Sequence, residues 1–252
     1  MGPPPGGRPG GRNQTGVLII AAVLALLVYE ITKAHRISST QVIFFLVLIP
    51  SVILHEVSHG VMALAFGDDT AKRAGRLTLN PIRHIDPIGT IVLPVIMVLT
   101  VHSAFGYAKP VPVNVRRLRH PRNDAVLVGL VGPAVNIALA VGSAAALRYL
   151  APAGAVPPPE FVANGYVPSQ TLWQVVFMLG FANMILAAFN LIPIPPLDGS
   201  AVVERLLPRS WWPTYLSVRM YAMPVLILIV LLIPSVTNHA ETWGLEAWSH
   251  FL

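Results

Sequence analysis

The chain has 252 residues, of which 54% are hydrophobic and only 11% are charged. Soluble domains carry about 25% charged residues, so this composition, with a mean hydropathy of +0.66, excludes an ordinary soluble protein and indicates an integral membrane protein. The absence of cysteine excludes disulfides, metal–thiolate sites and iron–sulfur clusters. We interpret the net charge of +6 as a signal of membrane topology rather than of nucleic-acid binding.

The apolar segments divide the chain into one membrane domain and two short tails. Residues 1–16 are rich in Gly and Pro and are predicted to be disordered. Residues 17–238 are predicted to form the membrane domain, and residues 239–252 a short amphipathic tail. The predicted spans cover, in chain order, residues 17–32, 41–66, 124–148, 171–192 and 214–235.

The apolar segment 88–105 either crosses the membrane, which gives six spans, or re-enters on the same side, which gives five. Crossing divides the 17 Lys and Arg residues ten against seven, whereas re-entry places fourteen on one side and three on the other. The positive-inside rule therefore favours re-entry, which the Gly and Pro of this segment also suit. The prediction is a multi-pass protein of the cell membrane with a cytoplasmic N-terminus and its site near the cytoplasmic side.

Two polar connections are predicted to be non-helical. The alternation of apolar residues after Gly75 predicts a short hairpin over residues 70–80. Residues 106–115 alternate apolar residues with prolines, which predicts an extended edge segment. The predicted fold is thus an all-α polytopic membrane protein with about five to six transmembrane helices and a short β-hairpin and re-entrant region on the cytoplasmic side.

A pentad, HEVSH, supplies the only ionisable side chains in residues 42–66: His55, Glu56 and His59. In a helix, positions i and i+4 share a face, so the two histidines can offer imidazole nitrogens to one metal ion. Glu56 projects about 100° around the helix from His55 and can hold a metal-bound water as general base. Ionisable groups in a membrane-length segment indicate a functional site. The alternative is that the three groups bond one another inside a helix bundle.

A catalytic metal site of this type needs a third protein ligand, which without thiols is His, Asp or Glu. Asp198 follows the proline-rich stretch NLIPIPPLDG, where an unwound backbone can aim its carboxylate inward and Gly199 permits a tight approach. The same pattern equally predicts Asp198 as the N-cap of a helix over residues 199–207. The other candidates are His84, His102, His120, Asp86 and Asp124.

Three motifs in this order resemble the site-2 protease family of intramembrane zinc metalloproteases: HEVSH, GPAVN at residues 132–136, and NLIPIPPLDG at residues 190–199. The stretches GDDTAKRAGRLTLNPIRHIDPIGT and FGYAKPVPVN resemble its compact prokaryotic branch, which lacks PDZ and CBS domains. The resemblance covers roughly residues 40–205. It implies one Zn²⁺ per chain, bound by His55, His59 and Asp198, with Glu56 as the catalytic acid/base.

The resemblance also implies roles for two asparagines. Asn190, eight residues before Asp198, matches a family position by the active site and is predicted to be catalytic by steadying the oxyanion. Asn136 of GPAVN is similar to a family position near the substrate path and is predicted to bind substrate. For both, the alternative is an interhelical hydrogen bond, which polar residues in membrane bundles commonly make.

The activity that the resemblance implies is that of a zinc metalloendopeptidase in regulated intramembrane proteolysis. Peptide bonds in or next to transmembrane segments of membrane-anchored proteins would be its substrates, and the lipid bilayer its surroundings. An unwound substrate is expected to pair by β-addition with the segments near residues 72–80 and 107–115. One alternative is a metal-ion transporter, which should show internal repeats that this sequence lacks. The other is an inactive scaffold, which would normally have lost a ligand or Glu56.

Overall fold

The computed structural model describes residues 39–86, Gly89, residues 109–211 and 234–252, and scattered positions between 214 and 228. Within these ranges every regular element is helical and no β-strand is present. Contacts divide the chain into Met1–Val42 and Ile43–Leu252. Of the first unit only residues 39–42 are described, and they form the first turn of a helix.

The frame of the second unit consists of long helices joined by short helical turns. The described helices are α1 (Ser39–Ala65), α2 (Thr70–Arg73), α3 (Pro121–Leu150), α4 (Pro159–Ala163), α5 (Thr171–Asn190), α6 (Ser200–Leu206) and α7 (Pro234–Ser249). Turns of 3₁₀ helix lie at Pro81–His84, Val115–Arg117 and Arg209–Trp211.

Three of the described helices, α1, α3 and α5, are long and apolar enough to cross a membrane. They have 27, 30 and 20 residues, and a rise of about 1.5 Å per residue makes even the shortest about 30 Å long, the thickness of the hydrocarbon layer. They lie at three of the predicted spans. The predicted span 17–32, the segment 88–105 apart from Gly89, and much of 214–235 lie outside the described residues. The described part of the chain thus holds three candidate spans, and the total of five to six stays a prediction.

The hairpin predicted over residues 70–80 is wrong. Thr70–Arg73 form helix α2, and residues 76–80 continue without a strand partner. The reason lies in Asp68, whose carboxylate accepts hydrogen bonds from the Thr70 N–H, at 3.0 Å, and from the Thr70 hydroxyl. Such a bond from a side chain to the N–H two residues on closes an Asx turn, which here starts a helical turn. Gly75, at φ 62°, then ends α2 in the left-handed conformation that glycine adopts without strain.

Residues 109–114, called the 109–114 segment below, form neither helix nor strand. Asn114 is extended, with φ −105° and ψ 94°. The segment is anchored at both ends, because the Lys109 N–H donates to His84 O at 2.9 Å and the Asn114 N–H to Asp68 Oδ2 at 2.6 Å. The backbone of these residues is therefore fixed by separate hydrogen bonds rather than by a sheet.

The main hydrophobic core lies where α1, α3, α4, α5 and α7 meet. Its buried members are Val47, Ala140, Ala144, Leu147, Val162, Phe177, Met178, Phe181, Ala182 and Trp248. Small residues of α3 allow the close helix packing that membrane bundles favour. Trp248 of α7 contacts Phe177, with ring centroids 6.1 Å apart, so the C-terminal segment predicted as an amphipathic tail carries a core residue. A smaller cluster of Ala63, Leu118 and Val128 packs the end of α1 against the start of α3.

Candidate metal centre

The pentad lies on α1, where the four-residue spacing places both histidines on one face. His55 and His59 are buried, and their Nε2 atoms are 3.1 Å apart. Asp198, in the loop between α5 and α6, approaches the same point. Its Oδ2 lies 2.9 Å from His55 Nε2 and 3.4 Å from His59 Nε2. Among the described residues, these three form the group of His, Asp and Glu side chains that could hold a metal ion.

The three atoms fit a single metal ion. Ligands of a tetrahedral zinc centre, with bonds of about 2.0–2.1 Å, lie roughly 3.3 Å from one another, close to the separations found here. Asp198 Oδ2 is also buried without a hydrogen-bond donor among the described residues, which is costly for a carboxylate oxygen unless a cation compensates it.

Hydrogen bonds at Nδ1 of His55 and His59 determine that the Nε2 atom of each ring faces Asp198. His55 Nδ1 donates to Asn136 Oδ1 at 2.5 Å, and His59 Nδ1 donates to the carbonyl oxygen of Val128 at 2.6 Å. A neutral imidazole that donates through Nδ1 keeps its lone pair on Nε2. Both lone pairs therefore point toward the carboxylate of Asp198, which is the arrangement that second-shell hydrogen bonds give to metal-ligating histidines.

The partner face of α3 is built from residues four apart: Val128, Gly132 and Asn136. A Cβ atom at position 132 would lie 2.5 Å from His59 Nε2 and 2.6 Å from His55 Cε1. Both distances are below van der Waals contact, so only glycine allows α3 to approach the two rings this closely. The GPAVN motif thus supplies the space for the histidines as well as a bond to one of them.

The loop that carries Asp198 is fixed through its backbone. The Gly199 N–H donates to the carbonyl oxygen of Asn190 at 2.7 Å, and a Cβ at position 199 would collide with the backbone of Leu191. Helix α6 begins without a side-chain cap, so the alternative role predicted for Asp198, as an N-cap, does not describe its contacts. Its carboxylate faces the histidines instead.

Of the other predicted site residues in the bundle, Asn136 contacts the histidine–aspartate cluster through His55, whereas the side chain of Asn190 does not bond it. Asn190 Nδ2 donates to Leu186 O of its own helix at 3.0 Å, and Asn190 contacts the Asp198 loop through its backbone carbonyl. Asn136 is fully buried, and both polar atoms of its side chain are bonded to protein groups, which favours the interhelical alternative over a substrate contact. The remaining third-ligand candidates have partners elsewhere or, for His102, lie outside the described residues: His84 bonds Thr78, Asp86 bonds Gly89, and His120 and Asp124 bond each other.

Glu56 contacts the 109–114 segment rather than a side chain of the bundle. Its Oε2 accepts a hydrogen bond from the Val111 N–H at 2.8 Å. The buried guanidinium of Arg76 donates to Lys109 O at 2.6 Å and Pro110 O at 3.3 Å, which holds the segment on one side of Val111. Asp68, bonded to Asn114, holds it on the other.

Several residues that shape the site were missed by the sequence analysis. Asn183 bonds both Asn136 and Ser51 inside the bundle, and a lone polar residue in an apolar span is the signal that could have found Asn183 and Ser51. Arg76 gave no such signal, because a basic residue in a polar loop is ordinarily solvated. The backbone N–H of Val111 has no sequence signature at all.

Comparison with known proteins agrees with a metal centre at this site. Residues 43–233 match Peptidase family M50. "Putative zinc metalloprotease YwhC" of Bacillus subtilis is 41% identical over 161 residues, which are 64% of this chain and 67% of that protein. "Putative zinc metalloprotease Rip2" of Mycobacterium tuberculosis is 30% identical over 235 residues, 92% of this chain and 82% of that protein. No solved structure matches the chain. Because the family match includes the pentad and the Asp198 loop, the chain belongs to Peptidase family M50, the site-2 protease family, and is a membrane metalloprotease.

Proposed function

We propose that this chain is an intramembrane zinc metalloprotease that hydrolyses peptide bonds in or next to transmembrane segments of membrane-anchored proteins. The observation that carries the proposal is the convergence of His55, His59 and Asp198 on one point, beside Glu56, on a helix long enough to cross a membrane. Two imidazoles and a carboxylate are a ligand set that zinc accepts, and the names of the curated relatives support zinc.

The proposed chemistry divides between the metal and Glu56. One Zn²⁺ at the three ligands would supply a Lewis acid for the scissile carbonyl and lower the pKa of a bound water toward 7. Glu56 takes the proton of the attacking water and returns it to the leaving amine. The bond from the Val111 N–H to Oε2 fixes the plane of this carboxylate. Asn190, beside the Asp198 loop, is proposed to donate its amide to the oxyanion by exchanging its bond to Leu186.

A substrate helix must unwind before cleavage, because its amides are otherwise hydrogen-bonded and shielded. We propose that the unwound substrate pairs with the 109–114 segment. Residues 72–80 are not proposed to pair, because they begin with the last two residues of α2 and continue as irregular backbone. Pro110 and Pro112 have no N–H, and Arg76 binds the carbonyl oxygens of Lys109 and Pro110. The segment can therefore offer an unwound strand the N–H of Val113 and the carbonyl oxygens of Val111, Pro112 and Val113.

Side-chain and backbone changes at one position of this segment separate pairing from side-chain recognition. Val113→Ala should leave cleavage of a membrane-anchored substrate within about twofold, whereas Val113→Pro, which removes a further donor, should lower it by about tenfold, the equivalent of one hydrogen bond. Thermal unfolding of both variants in detergent shows whether the fold is kept. Equal cleavage by the two folded variants would overturn the pairing proposal.

The membrane topology is proposed to have five spans, with segment 88–105 re-entrant, and a cytoplasmic N-terminus and active site. The distribution of basic residues supports it. Because the chain has no cysteine, single introduced cysteines report their side of the membrane without background. Arg116→Cys should resist a membrane-impermeant thiol reagent in intact cells and Arg36→Cys should react; the opposite pattern would reverse the topology.

The activity is tested by measuring zinc content and cleavage of a membrane-anchored substrate for the detergent-purified protein and two variants. Glu56→Gln should keep its metal and lose cleavage by about 10²–10⁴-fold, the usual contribution of a general acid–base. Asp198→Ala should lose both metal and cleavage. Full cleavage by Glu56→Gln would overturn the protease mechanism, and full metal content in Asp198→Ala would remove that residue from the ligand set.

A further inference from the structure

A line of buried polar side chains leads from the metal centre into the helix bundle. Asn136 Nδ2 donates to Asn183 Oδ1 at 2.7 Å. Asn183 Nδ2 donates to Ser51 Oγ at 2.8 Å and to Leu179 O at 2.8 Å. The Ser51 hydroxyl in turn donates to Val47 O at 2.7 Å. Asn136, Asn183 and Ser51, here called the buried polar network, connect α3, α5 and α1, and all three are at most 1% exposed.

The donor and acceptor of every bond in this network follow from the bond of Ser51 to Val47 O, at the end away from the metal centre. Ser51 uses its only hydrogen on Val47 O, so toward Asn183 it can act only as an acceptor. Both hydrogens of Asn183 Nδ2 are then used, on Ser51 and on Leu179 O. A flipped Asn183 amide would place its oxygen against the Leu179 carbonyl oxygen, which is unfavourable for two acceptors. The orientation of the Asn183 amide is therefore fixed, because the Leu179 carbonyl and the Ser51 hydroxyl both act as acceptors toward it.

The orientation of the Asn183 amide also determines the orientation of Asn136 and the tautomer of His55. Because Asn183 presents Oδ1, Asn136 must present its Nδ2 to it and its own Oδ1 to His55. An acceptor at His55 Nδ1 requires a hydrogen there, so the lone pair of the neutral ring stays on Nε2, which faces His59 and Asp198. In a fully buried site an unmatched donor or acceptor is costly, so the bundle selects one tautomer and one ring orientation.

We propose that Asn136 is a positioning residue for the metal centre, and that Asn183 and Ser51 determine the direction in which Asn136 acts. This inference rests on the proposed metal site. It assigns Asn136 a task different from substrate binding: it accepts the Nδ1 hydrogen of His55 and so keeps Nε2 ready to bind the ion. Packing of α1, α3 and α5 is thereby coupled to metal affinity. A shift of any of these helices moves the Asn136 amide, which orients the ligand His55.

Two substitutions at position 136 separate positioning from helix packing. Asn136→Leu has a similar size and removes the acceptor, so the affinity for Zn²⁺ should fall by about 10–100-fold, the usual effect of losing a second-shell partner. Asn136→Asp keeps an acceptor toward His55 but places its second oxygen against Asn183 Oδ1, which disturbs the contact between α3 and α5 without removing the bond to the histidine. If positioning of His55 controls metal binding, its affinity should match or exceed that of the unmodified protein. Competition with a chelator, on the full chain in detergent, gives both affinities, and the visible spectrum of the Co²⁺-loaded forms reports the ligand set.

Thermal unfolding of the chelated, metal-free proteins shows whether each variant is folded. If Asn136→Leu does not fold, Asn136→Asp still tests the proposal, because an affinity tenfold below that of the unmodified protein would overturn it. Equal affinities for folded Asn136→Leu and the unmodified protein would overturn it as well. Asp198→Ala distinguishes this failure from that of the metal site itself: if Asp198→Ala retains Zn²⁺, the proposed metal centre fails, whereas loss of Zn²⁺ there with full binding in Asn136→Leu refutes only the positioning role.

Discussion

The two flanks of the metal centre are built by different means. On the histidine flank, side chains of α1, α3 and α5 bond one another inside the bundle, and Gly132 lets α3 approach the rings. On the Glu56 flank, the carboxylate contacts the 109–114 segment, whose backbone is held by bonds from the side chains of Asp68 and Arg76. Helices satisfy their own backbone, whereas an irregular segment needs side chains to do so. The first flank therefore orients ligands through packing, and the second orients a proton acceptor through a loop.

This difference predicts separate phenotypes for the two flanks. Changes on the histidine flank should alter metal affinity, and activity should follow. Changes on the Glu56 flank should lower the rate of cleavage while the metal stays bound. A variant of either flank with the phenotype of the other would show that the two are mechanically coupled.

The largest effect is expected at Gly132. Gly132→Ala places a Cβ within 2.6 Å of both imidazoles, so the rings must move away from their shared point. We expect Zn²⁺ affinity to fall by at least about 100-fold, the upper range for a second-shell change, and cleavage to fall with it. Chelator competition and substrate cleavage measure the two quantities.

Gly142→Ala is the matched control for this substitution. It lies on the same helix, and a Cβ there meets nothing within 4 Å among the described residues. It should leave metal affinity and cleavage unchanged and add slightly to stability, because alanine favours the helix over glycine. If both alanine variants bound Zn²⁺ equally, the close approach of α3 to the rings would not matter for the site.

The next effect is expected at Asp68, which is fully buried and anchors Asn114 of the 109–114 segment. Asp68→Asn keeps the size of the side chain but loses its charge and one acceptor, so the segment should shift and Glu56 lose its fixed orientation. A displacement of about 1 Å can lower catalysis by about 10²-fold, and we expect a decrease of about 10–100-fold in kcat/KM with zinc content unchanged. Loss of zinc would contradict the separation of the two flanks.

Asp69→Asn provides the control at the neighbouring position. Asp69 is bonded to Arg73 at 2.6 Å and to Arg117 at 2.8 Å, but these are exposed ion pairs, which contribute little. Its cleavage rate and melting temperature should stay close to those of the unmodified protein. Equal losses in Asp68→Asn and Asp69→Asn would assign the effect to net charge rather than to the anchoring bond.

A smaller effect is expected at Arg76. Its guanidinium bonds the carbonyl oxygens of Arg83, Lys109 and Pro110, a fork that the single ammonium of lysine cannot reproduce. Arg76→Lys should therefore lower kcat/KM by about tenfold or less, as expected for one or two lost hydrogen bonds, without loss of metal. Arg73→Lys, in an exposed pair, is the control and should have no effect; an equal decrease in both would indicate a general disturbance of residues 70–76.

The two flanks also differ in how well the sequence predicts them. The histidine flank carries strong signals, because ionisable residues in an apolar helix have few structural explanations and helical spacing fixes which residues share a face. The resemblance added Asp198, which local pattern alone left equal with a helix cap. The predicted substrate role of Asn136 stays a prediction; a motif places a residue near a site but does not show which neighbour it bonds, here His55 and Asn183.

The Glu56 flank could not be predicted in the same way. Its shape depends on side-chain bonds to backbone atoms far apart in sequence, such as Asp68 to Asn114, and these leave no periodic pattern. The alternation after Gly75 predicted a hairpin, but the Asx turn at Asp68 leads into helix α2 instead. Local hydrogen bonds of Asp thus outweighed a weak strand pattern.

The smallest expected effect is on stability in acid, and it again concerns Asp68. Burial acts to raise the pKa of this carboxyl, but hydrogen bonds from Thr70 and from the Asn114 N–H outweigh it and lower the pKa below its ordinary value. A carboxyl with a lowered pKa stabilises the fold above its unfolded pKa of about 3.9, and that contribution is lost as the pH falls through the folded value. The melting temperature in detergent should therefore be lower for Asp68→Asn than for the unmodified protein at pH 7, and the difference should shrink below about pH 4. A difference that persisted unchanged at lower pH would show that the charge of Asp68 does not hold the 109–114 segment, and the anchoring of the Glu56 flank would then have to depend on Arg76.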